Sequence, residues 1–284
     1  MTLAKVFSML NAVTLNLPYS AVRQAFNLAS GKRKDLWLKS PLRYLISPVK
    51  LPDGNHVFWS WEEDAFWLKD MIKEIYQEQA YESFFHAEED DVIVDVGANI
   101  GLFTLKASKE VGKKGKVIAF EPGKRNFALL SRNIRINRCW NVIPLHVAVS
   151  DYDGKGTLYL KDVCLQNTLS PSVNQEIITV GTPVIEVRRL STVLKKLKIR
   201  RVDMLKIDAE GCEFEVLKGS QEFLENHGIR KISIAAYHSR EELKILKAYL
   251  HKFGYHVFFK RNIGLADFQR IHVFGISPLE GKFQ

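Results

Sequence analysis

The chain has 284 residues, 46% of them hydrophobic, enough to bury a sizeable core, and it carries a formal net charge of +9. Its three cysteines include no C-x-x-C pair, which argues against a disulfide framework and a structural zinc site and points to a reducing cytoplasm. No apolar run approaches bilayer-spanning length, and the first residues lack the basic region, apolar core and cleavage site of a secretory leader.

Residues 1–40 read as helical up to the break at Gly31-Lys32-Arg33-Lys34. Leu3, Val6, Phe7, Leu10 and Leu17 fall near helical spacing, with Lys5 and Arg23 nearby. Such a stripe usually docks on its own domain. The alternative is an interfacial helix peripheral to the inner face of a membrane. Pro41, Pro48 and Pro52 punctuate a linker, and Pro52-Asp53-Gly54 is a turn expected to join short strands at 49–51 and 56–59. Residues 1–60 are thus expected to form a helical extension and linker with a short hairpin, and 61–284 the main domain. Helical spacing runs on from Phe66 to Phe85.

From residue 91 strands and helices alternate, as in a parallel sheet with crossovers. Strands are expected at 91–96, 116–121, 141–149, 202–207 and 230–236, and helices at 102–111, 125–137, 214–225 and 240–253. Residues 151–187 interrupt the rhythm as a β-rich insertion. Runs at 255–260 and 270–276 are expected to close the sheet as an antiparallel pair. The fold class is therefore α/β, with a mostly parallel central sheet and helices on both faces.

The run DVIVDVGANIG, residues 91–101, is a β-branched strand that breaks at Asp95 and Gly97 and restarts as a helix at Gly101. Such a turn brings backbone N–H groups close to a ligand. A dinucleotide fingerprint needs G-x-G-x-x-G, but Asn99 holds the second glycine position and Asp95 would repel a phosphate. The Gly97-Ala98-Asn99 turn suits a ligand with a cationic group instead. The next strand ends at Glu121-Pro122, roughly 20 residues on, where an acid can accept ribose hydroxyls. A nucleoside with a cationic amino-acid tail and no phosphate points to S-adenosyl-L-methionine.

DVGANIGLFTL, AFEPG, LHVAVSD and DMLKIDAEGCEFEVLKG together resemble the FkbM-type S-adenosylmethionine-dependent methyltransferases. The resemblance covers roughly residues 50–260, including LPDG and the stretch from Glu74 to Glu82. It implies a Rossmann-like class I methyltransferase fold. It also implies an adenine pocket near Asn137, Ala148 and Val149. Tyr76 and Tyr81 could approach the cofactor, although an aromatic stripe is more often core.

Asp208 lies at the tip of the strand 202–207, followed by Ala209, Glu210 and Gly211. Adenine and cytosine amino-methylating enzymes place a proline-rich turn ending in an aromatic here. A carboxylate pair suits a hydroxyl acceptor, which it can hold or deprotonate. The bland alternative is that Asp208 and Glu210 cap the next helix. His238 ends the following strand and could exchange a proton near neutral pH, or cap the helix after it. Asp208, Glu210 and His238 could also ligate a divalent metal such as Mg²⁺, but nothing in their spacing assigns one. His146 is expected to pack. No cysteine follows proline, so none is placed as a nucleophile for ring-carbon methylation.

The expected activity is O-methylation of a hydroxyl on a small molecule: a sugar, glycan or lipid-linked intermediate. The alternative is an RNA-directed methyltransferase docking through a basic surface. The basic clusters Lys32-Arg33-Lys34, Lys113-Lys114, Arg188-Arg189, Lys195-Lys196 and Arg200-Arg201 are scattered and lack interleaved aromatics, so nucleic acid is the weaker expectation.

Overall fold

The computed structural model describes residues 48–59, 65–161, 179–236, 240–263 and 269–280. The expected N-terminal helix and His238 lie outside them.

A hairpin of β1 (Val49–Lys50) and β2 (His56–Val57) comes first, then α1 (Ala65–Ile72). The helical run expected to reach Phe85 breaks up after α1. It widens into a π-helical turn, Lys73–Gln77, passes left-handed Gln79 and ends in the 3₁₀ turn Ala80–Glu82. The alternating unit follows: β3 (Val92–Val96), α2 (Leu102–Glu110), β4 (Lys116–Phe120), α3 (Lys124–Ile136) and β5 (Val142–Leu145). The β-rich insertion contributes β6 (Ala148–Val149), β7 (Gly154–Thr157), β8 (Leu160–Lys161), β9 (Thr179–Gly181) and β10 (Val184–Arg188). Then come α4 (Leu190–Lys196), β11 (Val202–Ile207), α5 (Glu213–Gly219), α6 (Gln221–Glu225), β12 (Ile229–Ala235), α7 (Arg240–Lys252), β13 (His256–Ile263) and β14 (Gln269–Ile276).

Seven strands form the central sheet in the order β13-β14-β12-β11-β3-β4-β5. Only β14 runs against the rest, so the expected antiparallel closing pair is present. Alternate residues of each strand enter opposite cores, as the two-residue period requires. Ile93 belongs to one core together with Leu105 of α2 and Leu130 of α3, whereas Val94 belongs to the other, with Leu194, Val216 and Leu246. Strands buried on both faces read as continuous apolar runs, which is why β3, β4 and β11 were legible. The strand order reverses between β3 and β11, where open α/β sheets hold their ligands.

Two elements differ from expectation. The strand 141–149 divides: β5 stays in the main sheet, while β6 pairs with β10 in a separate sheet, β6-β10-β7. His146 lies at the division, its Nε2 3.0 Å from the Pro122 carbonyl and its ring stacked on Phe127. The helix 214–225 breaks at Ser220. Its hydroxyl donates back to the Val216 carbonyl at 2.7 Å, a bond that bends helices. At neighbouring Gly219 a Cβ would meet the Ser150 carbonyl oxygen at 2.0 Å, so only glycine lets α5 lie this close to the segment after β6.

The first hairpin is part of the same core, with Leu51 and Val57 buried beside Ile93. Asn133 of α3, wholly buried, fastens it. Its oxygen accepts from Phe58 N at 2.7 Å, and its amide donates to Phe58 O at 2.9 Å and to Ile100 O at 2.8 Å. Asn133→Ala should therefore lower the unfolding free energy by about 2–4 kcal/mol, as three enclosed backbone groups lose their partner. The midpoint of urea unfolding at an unchanged slope measures this.

Candidate active site

At the end of β3 the chain makes two bonds to one acceptor: Gly97 N and Ala98 N both reach Phe120 O, at 3.1 and 2.9 Å. Gly97, Asn99 and Gly101 all have positive φ, at 76°, 52° and 98°. Glycine takes that region freely and asparagine more readily than most residues. Gly97 has a second reason to be glycine. A Cβ there would lie 1.8 Å from the backbone oxygen of Asp208, so this turn and the tip of β11 touch. The side-chain oxygen of Asn99 is buried with no hydrogen-bond partner among the described residues.

Glu121, at the tip of β4, is almost fully buried and bridges two turns. One carboxylate oxygen accepts from Asn99 N at 2.9 Å and the other from Gly123 N at 2.8 Å. Burial pushes its pKa up to about 7, against the pull of those two N–H groups and of the Lys206 charge. Each oxygen keeps a lone pair for a further donor.

Asp95 is differently placed from the sequence reading, which set its charge against a cationic ligand. Its side chain is wholly enclosed, and Thr104 Oγ1 donates to it at 2.6 Å. Its other oxygen lies 3.0 Å from Nζ of Lys206, the residue opposite it on β11. A carboxylate with no exposure needs a partner charge, and the sheet supplies one from inside the chain.

Lys206 is the residue the sequence reading missed. Its ammonium bonds the Gly97 carbonyl at 2.8 Å and stands 4.0 Å from Asp208 Oδ2. Desolvation works against its charge, but Asp95 and Asp208 outweigh it and hold the pKa above the usual lysine range. The available signal was a cation inside a strand that is mostly apolar and buried along its whole length.

Asp208 emerges at the sheet edge with its side chain 21% exposed. The Tyr81 hydroxyl donates to its Oδ2 at 2.7 Å. Tyr81 comes from the 3₁₀ turn and packs edge-on against Phe103 and His272. Tyr76 does not share this role. Its hydroxyl is held by Asp53 at 3.2 Å, and burial raises its pKa.

Glu210 and Gly211 take positive φ, at 53° and 93°, in the loop after Asp208. That loop folds around a carboxylate the sequence reading passed over. Glu213, wholly buried, accepts from Ala209 N at 2.8 Å and Gly211 N at 3.0 Å. Cys212 opens α5, is buried, and forms no disulfide among the described residues.

Three residues expected near an adenine pocket are spread out. Asn137 is not at the strand tips but at the C-terminal end of α3, because the helix carries it back from the β4 tip. Its amide is spent on His56 N and O, at 2.7 and 2.6 Å, and on Asn133 O. Ala148 and Val149 are buried in β6, paired with Val187 and Arg188. Pro122 does sit at the β4 tip, its carbonyl beside His146. Among the described residues no group of three or more His, Cys, Asp and Glu side chains is arranged to hold a metal.

Residues 95–257 match the Methyltransferase FkbM domain. The chain belongs to the FkbM methyltransferase family. Methyltransferase sdnD of Sordaria araneosa is 32% identical over 179 residues, which is 54% of this chain and 68% of that protein. The hexuronic acid methyltransferase AglP of Haloferax volcanii is 31% identical over 140 residues, 49% of this chain and 54% of that protein. The 31-O-demethyl-FK506 methyltransferase FkbM of Streptomyces tacrolimicus is 28% identical over 214 residues, 63% of this chain and 77% of that protein. A solved methyltransferase FkbM from Methylobacillus flagellatus KT superposes with a TM-score of 0.52 at 16% identity, over 95% of this chain and 59% of that one. That likeness establishes the Rossmann-like class I fold. This FkbM protein is thus an S-adenosylmethionine-dependent methyltransferase. No helix among the described residues is long and apolar enough to cross a membrane.

Glu121 makes stability depend on pH. Its folded pKa of about 7 lies above the ordinary 4.5, so the fold favours the protonated acid. Its contribution is full below pH 4.5 and is lost as pH rises to about 7, a loss of roughly 3 kcal/mol. Glu121→Gln should flatten that part of the stability profile. Urea midpoints of parent and variant at pH 5 and pH 8 measure the difference.

Proposed function

We propose that this FkbM methyltransferase methylates a hydroxyl of a sugar, glycan or other small hydroxylated molecule. The observation that carries the reading is Asp208: a partly exposed carboxylate at the β11 tip, against the glycine turn and held by a tyrosine hydroxyl. The names of two relatives, a hexuronic acid methyltransferase and a 31-O-demethyl-FK506 methyltransferase, support a hydroxylated acceptor.

The residues fit the donor. The turn takes positive φ at Gly97, Asn99 and Gly101, and the buried Asn99 side-chain oxygen lacks a partner among the described residues. Glu121 has lone pairs left for the two ribose hydroxyls. Bound S-adenosylmethionine supplies a sulfonium methyl to an in-line displacement, in which alignment of donor and acceptor does most of the work. Asp208 accepts the proton of the acceptor hydroxyl as its oxygen gains the methyl, and then loses that proton to solvent. Tyr81 fixes one Asp208 oxygen by donating to it at 2.7 Å, which holds the carboxylate in place at the strand tip. Glu210 lies two residues after Asp208, on the left-handed part of the same loop.

The carboxylate of Glu121 is the form that receives ribose hydroxyls, so donor affinity should climb as pH rises towards about 7 and then level off. Isothermal titration of the parent and of Glu121→Gln separates this effect from titration of the donor itself. The variant should bind more weakly above pH 7 and lack the Glu121 component of the pH dependence.

Asp208→Asn should keep donor affinity within about threefold while cutting methyl incorporation roughly 10²–10⁴-fold, the usual worth of a general base. The measurement is mass spectrometry of a cell extract incubated with isotopically labelled donor. Label in small hydroxylated products supports the reading. Label in RNA, with a steep salt dependence, would replace it.

A further inference from the structure

The motif from Asp203 to Glu213 contributes one group that neither donor binding nor proton transfer has used. We propose that Lys206 is a positioning residue that locks the donor turn to the acceptor carboxylate and keeps Asp208 ionised and aimed. This rests on reading Asp208 as the proton acceptor.

The geometry joins both halves of the site through one ammonium. Lys206 Nζ lies 3.0 Å from Asp95 Oδ1, 2.8 Å from Gly97 O and 4.0 Å from Asp208 Oδ2. It therefore touches the last turn of β3 and faces the residue two places further along its own strand. Tyr81 and Phe103 enclose it, with ring centroids 5.1 and 6.0 Å from Nζ. Apart from Asp95 and Asp208, it feels Glu74 from the π-helical turn and Glu121 from β4. A counter-ion for Asp95 alone would explain one of these contacts. It would not explain an ammonium placed to bond the turn that must lie against Asp208, with Asp208 itself in range.

The physical requirement is clear. A general base must be a carboxylate before the acceptor arrives, and the ammonium beside Asp208 is shared with other acids, Asp95, Glu74 and Glu121. Like charges raise a carboxyl pKa, and a nearby cation lowers it. Lys206 provides the cation at close range and is itself buried. The Tyr81 hydroxyl adds a donated hydrogen bond, which also favours the charged form. Lysine rather than an apolar residue at this point of β11 costs desolvation, and that cost is offset only by such pairing.

The test needs no acceptor. Protein labelled with ¹³C at aspartate carboxyls is titrated by NMR, and the Asp208 signal is assigned by its loss in Asp208→Asn. In the parent the signal should stay that of a carboxylate down to below about pH 3.9, the ordinary aspartate value. In Lys206→Met its midpoint should rise by more than about one pH unit, a tenfold gain in proton affinity, and Lys206→Arg should restore most of the difference. If Lys206→Met leaves Asp95 too costly to bury and does not fold, the double variant Lys206→Met/Asp95→Asn is compared with Asp95→Asn, so that both proteins lack the Asp95 charge and differ only in the ammonium. An Asp208 midpoint at or above the ordinary value in the parent overturns the proposal. So does an unchanged midpoint in either methionine variant. Asp208→Asn with parental methyl incorporation would instead end the general-base reading, a result the titration cannot mimic.

Discussion

The contact between the last turn of β3 and the tip of β11 is the constraint on which the site depends. At Gly97 there is room for a hydrogen and nothing more, because the Asp208 carbonyl occupies the place of a side chain. Two neighbouring parallel strands thus end in turns that pack backbone on backbone. The glycine turn and the Asp208 loop are thereby held against each other. Asp208 N also bonds Val96 O at 3.0 Å, extending the sheet ladder past the strand ends. Methyl transfer demands alignment to within a fraction of an ångström, and a sheet edge provides it better than loops alone.

Charge follows from that closeness. Bringing strand tips together at a switch point concentrates carboxylates, since Asp95, Glu121 and Asp208 each end or nearly end a strand. The chain manages them in three ways. Asp95 is paired with Lys206 and a threonine hydroxyl. Glu121 is bonded by two backbone N–H groups and drawn towards neutrality by burial. Asp208 keeps contact with solvent and takes a tyrosine hydroxyl. Three acids within one crevice acquire three different chemistries through their partners.

The lead-in segment turns out to be part of the site. It reaches the sheet edge through a π-helical turn and a left-handed residue, irregularities often found near functional residues. Two buried contacts pin it: the Glu82–Lys106 ion pair, and Glu74 3.6 Å from the His272 ring. The result is that Tyr81 stands over Lys206 and bonds Asp208 from above the strands.

The glycine turn, the acid at the tip of β4 and the parallel order of strands were legible in the sequence, because each is a local demand. A tight turn with positive φ admits few residue types, and a strand buried on both faces is apolar at most positions. Those local demands, with the family resemblance, were enough to determine the fold class and the methyl donor. Partnership was not legible. Tyr81 and Asp208 are 127 residues apart, and Lys206 reads as an anomaly until its neighbour strand is known. The break at Ser220 and the departure of β6 from the main sheet also depend on contacts made only in the folded chain. Sequence specified which groups end strands, since that is a matter of pattern along one segment. Only the tertiary structure decided which carboxylate is neutralised, which is buried near neutrality and which is left to act, because a charged group's behaviour is set by what surrounds it in space.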